Sequence, residues 1–124
     1  VKHLRINWTE GEKHFRNCLL DFNKANNVAQ WQWVAGCGAD AAPYFRIFNP
    51  ILQGEKFDKE GLYVKKWVPE LNKVPNKFIH KPWEMELKYQ QAIKTIIGKD
   101  YPQPIVIHEK ARASALEAFK TLKK

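Results

Sequence analysis

The run Trp31-Gln32-Trp33-Val34-Ala35-Gly36-Cys37-Gly38-Ala39-Asp40-Ala41-Ala42-Pro43-Tyr44-Phe45-Arg46-Ile47-Phe48-Asn49-Pro50 holds two indoles, a glycine break and two prolines. Val28, Trp31 and Val34 recur at steps of three, which is helical spacing. The spacing predicts a helix over Asn26 to Ala35, ended by Gly36-Cys37-Gly38. Pro43 suits the first turn of a further helix within Ala39 to Asn49. Asn49-Pro50 reads as a turn. No period-two alternation interrupts this pattern, so the segment argues for an all-α fold.

The flanking sequence agrees. Upstream, Leu4, Trp8, Phe15, Cys18 and Leu19 carry helical spacing within Val1 to Leu20. Thr9 with Glu12 three residues on fits a capping box, which predicts a helix start at Thr9. A polar turn, Asp21-Phe22-Asn23-Lys24, follows. Downstream, Asp58 to Leu71 reads as a helix bearing Leu62, Tyr63 and Trp67, with Lys65 and Lys66 outside. Asn72 to Pro104 holds Pro75, Pro82, Pro102 and Pro104. Those prolines predict irregular chain with short helices, one of them over Met85 to Ile97. Ile107 to Leu122 is the clearest helix, with Ala111, Ala115, Leu116 and Phe119 on one side. The β-branched run Ile105-Val106-Ile107, after Pro104, is the sole strand signal. There is no internal repeat and no low-complexity segment.

At 124 residues the chain holds one domain at most. It is 44% hydrophobic and 27% charged, which fits a globular chain and not a disordered one. The sequence has no run of about 18 apolar residues, which excludes a membrane-spanning helix. Lys and Arg total 21 against 13 Asp and Glu, a net charge of +8. That balance fits an acidic partner, nucleic acid first, and on charge alone fits a basic but uncommitted surface equally well. Val1 opens directly into amphipathic sequence without a secretory leader, so either a cut within a larger protein or a processed N-terminus, in a cytoplasmic protein, is expected. Cys18 and Cys37 are too few for a disulfide framework and lack metal spacing with His3, His14, His80 or His108. They are expected to be buried, reduced thiols.

Three groups of residues could carry chemistry. On a helix, Trp31 and Trp33 sit about 200° apart, so they face nearly opposite ways. Either both pack, or one reaches a planar ligand on which an indole stacks. Asp21, Asn23, Asn26 and Asn27 precede them; they are either helix caps or contacts to a heterocycle with mixed donor and acceptor edges. Arg46, Asn49, Gln53 and Lys56 lie in and after an aromatic run, which suits a phosphate backbone with unstacked bases or a plain solvated face. No phosphate-binding glycine loop, zinc-binding HExxH helix or nucleophile elbow is present.

The stretch from Trp31 to Pro50 closely resembles the C-terminal part of DNA photolyases. Gln53-Gly54-Glu55-Lys56-Phe57-Asp58, Trp67-Val68-Pro69-Glu70-Leu71, His80-Lys81-Pro82-Trp83-Glu84 and Tyr101-Pro102-Gln103-Pro104-Ile105-Val106 extend the likeness. It runs from about residue 8 to the last helix. The resemblance implies that residues 1–124 are the end of the all-α, FAD-binding catalytic domain of a class I type cyclobutane pyrimidine dimer photolyase. It implies light-driven electron transfer from reduced FAD to a dimer flipped out of DNA. The alternative is a cryptochrome, a flavoprotein photoreceptor without repair activity.

The resemblance also assigns roles. It sets Asn27 against flavin N5, and Asp21, Phe22 and Asn23 near the flavin. Asn23 departs from the family's Asp-x-Asp element and puts that contact in doubt. Trp31 matches the tryptophan nearest the flavin in the electron-transfer chain, and Trp8 matches the middle member. Trp33 matches the residue that packs on the flipped dimer. Arg46, Gln53 and Lys56 match DNA-contacting positions. Residues 90–98 read as a surface variation. The resemblance further implies an antenna chromophore on a separate N-terminal domain and little FAD binding or activity by these residues alone. Self-association through a truncated core is expected.

Overall fold

In the computed structural model, residues 1–39 and 45–122 are described. They are helical, and among them the only β feature is an isolated bridge between Ile97 and Tyr101. The chain divides into two compact units, residues 1–47 with 106–124, and residues 48–105.

The first unit contains α1 (Trp8–Cys18), α2 (Lys24–Ala35) and α6 (His108–Leu122). Asn7, not Thr9, caps α1: its side-chain oxygen accepts from the Thr9 backbone N–H at 3.0 Å. Glu12, read as half of a capping box, is instead buried. The preceding residues 2–5 form turns, not a continuous helix. α2 begins two residues before the expected Asn26, because Asn23 caps it by accepting from the Asn26 N–H at 3.0 Å. Gly36 ends it in the left-handed conformation, φ 76°, which glycine adopts without steric cost.

Two close approaches join these helices. A Cβ on Gly11 would lie 2.4 Å from the Trp31 ring, so glycine lets α1 and α2 meet there. Phe15 then meets Trp31 edge-on, with centroids 5.1 Å apart. α6 is tied in by Phe119, which stacks on Phe45 at 4.4 Å, and by His108, which hydrogen-bonds His3 at 2.9 Å. Residues 45–49 are not helical, and residues 40–44 of the helix expected over Ala39 to Asn49 lie outside the described residues.

The second unit holds α3 (Pro50–Phe57), α4 (Leu62–Trp67) and α5 (Leu87–Ala92), with 3₁₀ turns at Pro69–Leu71, Asn76–Phe78 and Pro82–Glu84. Asn49-Pro50 starts a helix instead of making a simple turn. Asn49 accepts from the Ile51 N–H, and Pro50 occupies a first-turn position where its missing N–H costs nothing. The helix expected over Asp58 to Leu71 is interrupted at both ends. Gly61 is left-handed at φ 66°, and Pro69 closes α4 into a 3₁₀ turn. The Asp58 carboxylate accepts from the Tyr63 and Val64 N–H groups and so anchors the start of α4.

Leu71, Val74, Ile79 and Met85 form this unit's core, backed by Val64, Val68, Phe78, Ile93 and Tyr101. Full burial of such side chains contributes about 1.5–3 kcal/mol each. The helix expected over Met85 to Ile97 is shorter because Lys94 turns left-handed at φ 55°. Residues 90–98 are not a surface variation. Gln90, Thr95 and Ile97 are buried, and the Gln90 side chain donates to the Met85 carbonyl and accepts from the Ile97 N–H.

Candidate functional site

The residues singled out in the sequence concentrate on α1, the turn after it, and α2. Asn27 sits one turn into α2 and is 7% exposed. Its Nδ2 donates to the Glu12 backbone carbonyl at 2.9 Å and to the Glu12 carboxylate at 3.2 Å. Both partners are acceptors, so the amide nitrogen must face Glu12 and the oxygen must face away. That oxygen takes no hydrogen bond from the described residues.

Glu12 is 4% exposed, the most buried carboxylate in this unit among the described residues. Burial of a carboxylate is costly unless it is paired. Arg16, one turn on, supplies the charge through a two-pronged contact: Nε to Oε1 at 3.2 Å and Nη2 to Oε2 at 2.5 Å. Sequence reading missed Glu12 and Arg16 as site residues. The signal was there: Trp8, Glu12, Phe15 and Leu19 fall at steps of three and four, so Glu12 shares the apolar face.

Trp31 and Trp33 separate as their spacing requires. Trp31 is half-buried against Gly11 and Phe15 of α1, while Trp33 is 43% exposed. Trp8 opens α1, the helix that Trp31 packs against, and also lines a groove of about 580 Å³ with Lys2, Arg5, Phe45 and Phe119. No other candidate residue lines that groove. Burial lowers the Lys2 pKa, and its ammonium lies 4.3 Å from the Phe45 ring centre.

Asp21 is exposed in the turn between α1 and α2, and Phe22 beside it is half-buried. The Asn23 oxygen is engaged in capping α2. Asn23 can still offer a ligand its amide N–H donors and the second lone pair of that oxygen. Arg46 is exposed in the first unit, and its backbone carbonyl accepts from Lys2 Nζ. Gln53 and Lys56 are exposed on α3 of the second unit, with Lys56 Nζ 5.0 Å from the Phe57 ring centre. Cys18 and Cys37 are free and exposed, contrary to the expected burial. Their positions explain it: Cys18 is the last residue of α1, and Cys37 follows the left-handed Gly36. Among the described residues no cluster of metal-ligating side chains exists, and no helix is long and apolar enough to cross a membrane.

This arrangement offers an oriented side-chain amide on α2, one helical turn before Trp31. Residues 1–121 match the family model described as the FAD binding domain of DNA photolyase. The chain belongs to that family. It is 56% identical to the deoxyribodipyrimidine photo-lyase of Agrobacterium fabrum over 100% of this chain and 26% of that protein. The crystal structure of a bacterial class III photolyase from Agrobacterium tumefaciens matches with a TM-score of 0.89 at 56% identity, covering 98% of this chain and 25% of that one. A cryptochrome of Synechocystis matches less closely, with a TM-score of 0.86 at 34% identity over 94% of this chain and 24% of that one. The chain thus spans about a quarter of the length of the relatives it matches. The expected class I subtype is not carried by these likenesses, since the 56%-identical structure is of class III.

Proposed function

We propose that this chain supplies the C-terminal part of the catalytic domain of a photolyase that repairs cyclobutane pyrimidine dimers in DNA. FAD, when bound in its reduced state and excited by light, supplies the electron that splits the dimer. The observation that carries this reading is the division on α2: a buried, oriented Asn27 and an inward Trp31, with an outward Trp33.

The residues present fit the cofactor. The Asn27 oxygen is an acceptor without a partner among the described residues, which suits a ring N–H such as reduced N5 carries. Asp21, Phe22 and Asn23 are proposed to flank the flavin, with Asn23 as a donor. Trp31 and Trp8 are proposed to relay electrons that restore the reduced cofactor. Trp33 offers an exposed indole on which an unstacked pyrimidine pair can pack. Arg46 and Lys56 carry cationic groups, and Gln53 an amide, for the phosphate backbone and its neighbours. An antenna chromophore held elsewhere in the protein, a cytoplasmic location and self-association of the isolated chain belong to the same proposal.

The test is repair itself. The protein that carries this chain, loaded with reduced FAD, is mixed with an oligonucleotide holding one thymine dimer. Restoration of thymine absorbance under blue light and none in the dark is the expected result. Flavin binding without light-dependent repair would favour the cryptochrome reading instead, towards which the 34%-identical structure points. For the isolated chain, the proposal expects no flavin absorption band after purification.

A further inference from the structure

Helix α3 has two unlike faces. Ile51, Gly54, Glu55 and Asp58, at steps of three and four, are half-buried, while Leu52, Gln53, Lys56 and Phe57 are exposed. Gln53 and Lys56, the two α3 residues proposed to meet DNA, therefore share the outward face. A helix of eight residues depends on packing to hold it in place. Its rotation matters: a turn of about 30° carries a side-chain tip about 3 Å, more than a hydrogen bond tolerates.

The inward face is held by three consecutive residues, Ile79, His80 and Lys81. Ile79 is fully buried, and a Cβ on Gly61 would lie 2.5 Å from it. His80 sits as tightly under α3: a Cβ on Gly54 would lie 2.3 Å from its Nδ1. Its other ring nitrogen, Nε2, is 2.6 Å from the Asp58 backbone carbonyl. A carbonyl only accepts, so Nε2 carries the proton and donates. Asp58 ends α3, and its carboxylate anchors the start of α4. Lys81 pairs with Glu55 at 3.2 Å, but a pair open to solvent contributes little. His80 thus grips α3 at two points, its middle and its end.

We infer that His80 is a positioning residue for DNA binding: by seating its ring against Gly54 and donating to the Asp58 carbonyl, it fixes the rotation of α3 and aims Gln53 and Lys56 outward together. The inference rests on the reading of those two residues as DNA contacts. His80 itself touches no DNA in this scheme.

The test uses the flavin-loaded protein that carries this chain. Its affinity for a duplex holding one thymine dimer is measured at several salt concentrations. Each phosphate that a cation neutralises steepens the fall of log affinity with log salt by about 0.9. His80→Leu weakens binding about three- to tenfold and flattens the slope by about 0.9, because Lys56 leaves its phosphate. His80→Gln, whose Nε2 still donates, keeps the parent slope and an affinity within about twofold. In Lys56→Met the slope is already flattened, and adding His80→Leu flattens it no further. A role confined to stability would lower the folded fraction and leave the slope of the folded protein unchanged. Val74→Ala, in the core of the same unit, supplies that comparison and keeps the parent slope.

A parent slope in His80→Leu overturns the inference, provided that Lys56→Met does flatten it. So does equal flattening in His80→Gln or Val74→Ala, or further flattening in the double variant. If Lys56→Met changes neither affinity nor slope, the DNA contact on α3 fails and the inference fails with it, while normal light-driven repair would show that the wider photolyase reading stands. Should His80→Leu not fold, Gly54→Ala takes its place: its methyl group drives the ring from its seat, and an unchanged slope overturns the inference.

Discussion

The two units bury different things. In the second, the buried residues are mainly apolar: Leu71, Val74, Ile79, Met85 and Ile97. Its buried polar residues are Gln90 and Thr95, and the Gln90 side chain serves the backbone, clasping Met85 and Ile97. In the first unit the buried side chains among the described residues are Glu12, Asn27 and Ala115. Two of these three are polar, and the carboxylate needs Arg16 to be tolerated. A dry core stabilises whatever fold it fills. A buried amide and carboxylate contribute little net stability, because desolvation offsets most of what pairing returns. The second unit is thus built as a scaffold, and the interior of the first holds the polar pair that the proposed function uses.

The largest expected effect on stability lies in the scaffold. Ile79→Ala empties a fully buried site and should cost about 2–5 kcal/mol in denaturant unfolding. A loss below about 1 kcal/mol would show that this core is looser than it looks. Next is Gly11→Ala, which puts a methyl group 2.4 Å from the Trp31 ring. It should cost about 1–3 kcal/mol and change Trp31 fluorescence, because the indole must move away from Phe15. Arg16→Met should cost about 1–2 kcal/mol by leaving the Glu12 carboxylate buried without its cation. Equal stability of Arg16→Met and parent would blur the contrast between the units, since it would mean that Glu12 is solvated.

The smallest effect is on acid sensitivity. Burial, then the neighbouring His108, then the N-terminal charge hold the His3 pKa below its ordinary value of 6.5. The folded state therefore binds this proton less readily than the unfolded state does. Stability is full above about pH 6.5 and falls as pH drops below it. The melting temperature should decline between pH 7.5 and pH 5, and His3→Gln should flatten that decline. An unchanged slope in His3→Gln would remove His3 from the explanation.

Much of this contrast was legible in the sequence, but unevenly. Helix α6 and the break at Gly36 follow from local pattern, because periodicity and a left-handed glycine act within one turn. The opposed faces of Trp31 and Trp33 follow from the helical period alone. Helix α3 was hidden by the ambiguity of Asn-Pro, which marks a turn and also a cap followed by a first-turn proline. Glu12 was hidden by a local motif that fits equally well: a glutamate three residues after a threonine caps many helices. Its true partner, Asn27, is fifteen residues away, and a pairing at that distance leaves no mark in local spacing. The roles given to Trp33, Arg46 and Gln53 came from likeness to a family, not from spacing, because exposed residues carry no packing signal.

The most direct test of the first unit as a ligand-shaped region is Trp33→Ala in the flavin-loaded protein that carries this chain. Trp33 is 43% exposed, so its removal should change stability by about 1 kcal/mol or less. The measurement is the affinity for DNA containing one pyrimidine dimer, compared with undamaged DNA. Loss of an aromatic stacking partner should weaken dimer binding by about 1–3 kcal/mol, roughly five- to hundredfold, with flavin retained and undamaged DNA bound as before. Unchanged preference for the dimer in Trp33→Ala would contradict the account.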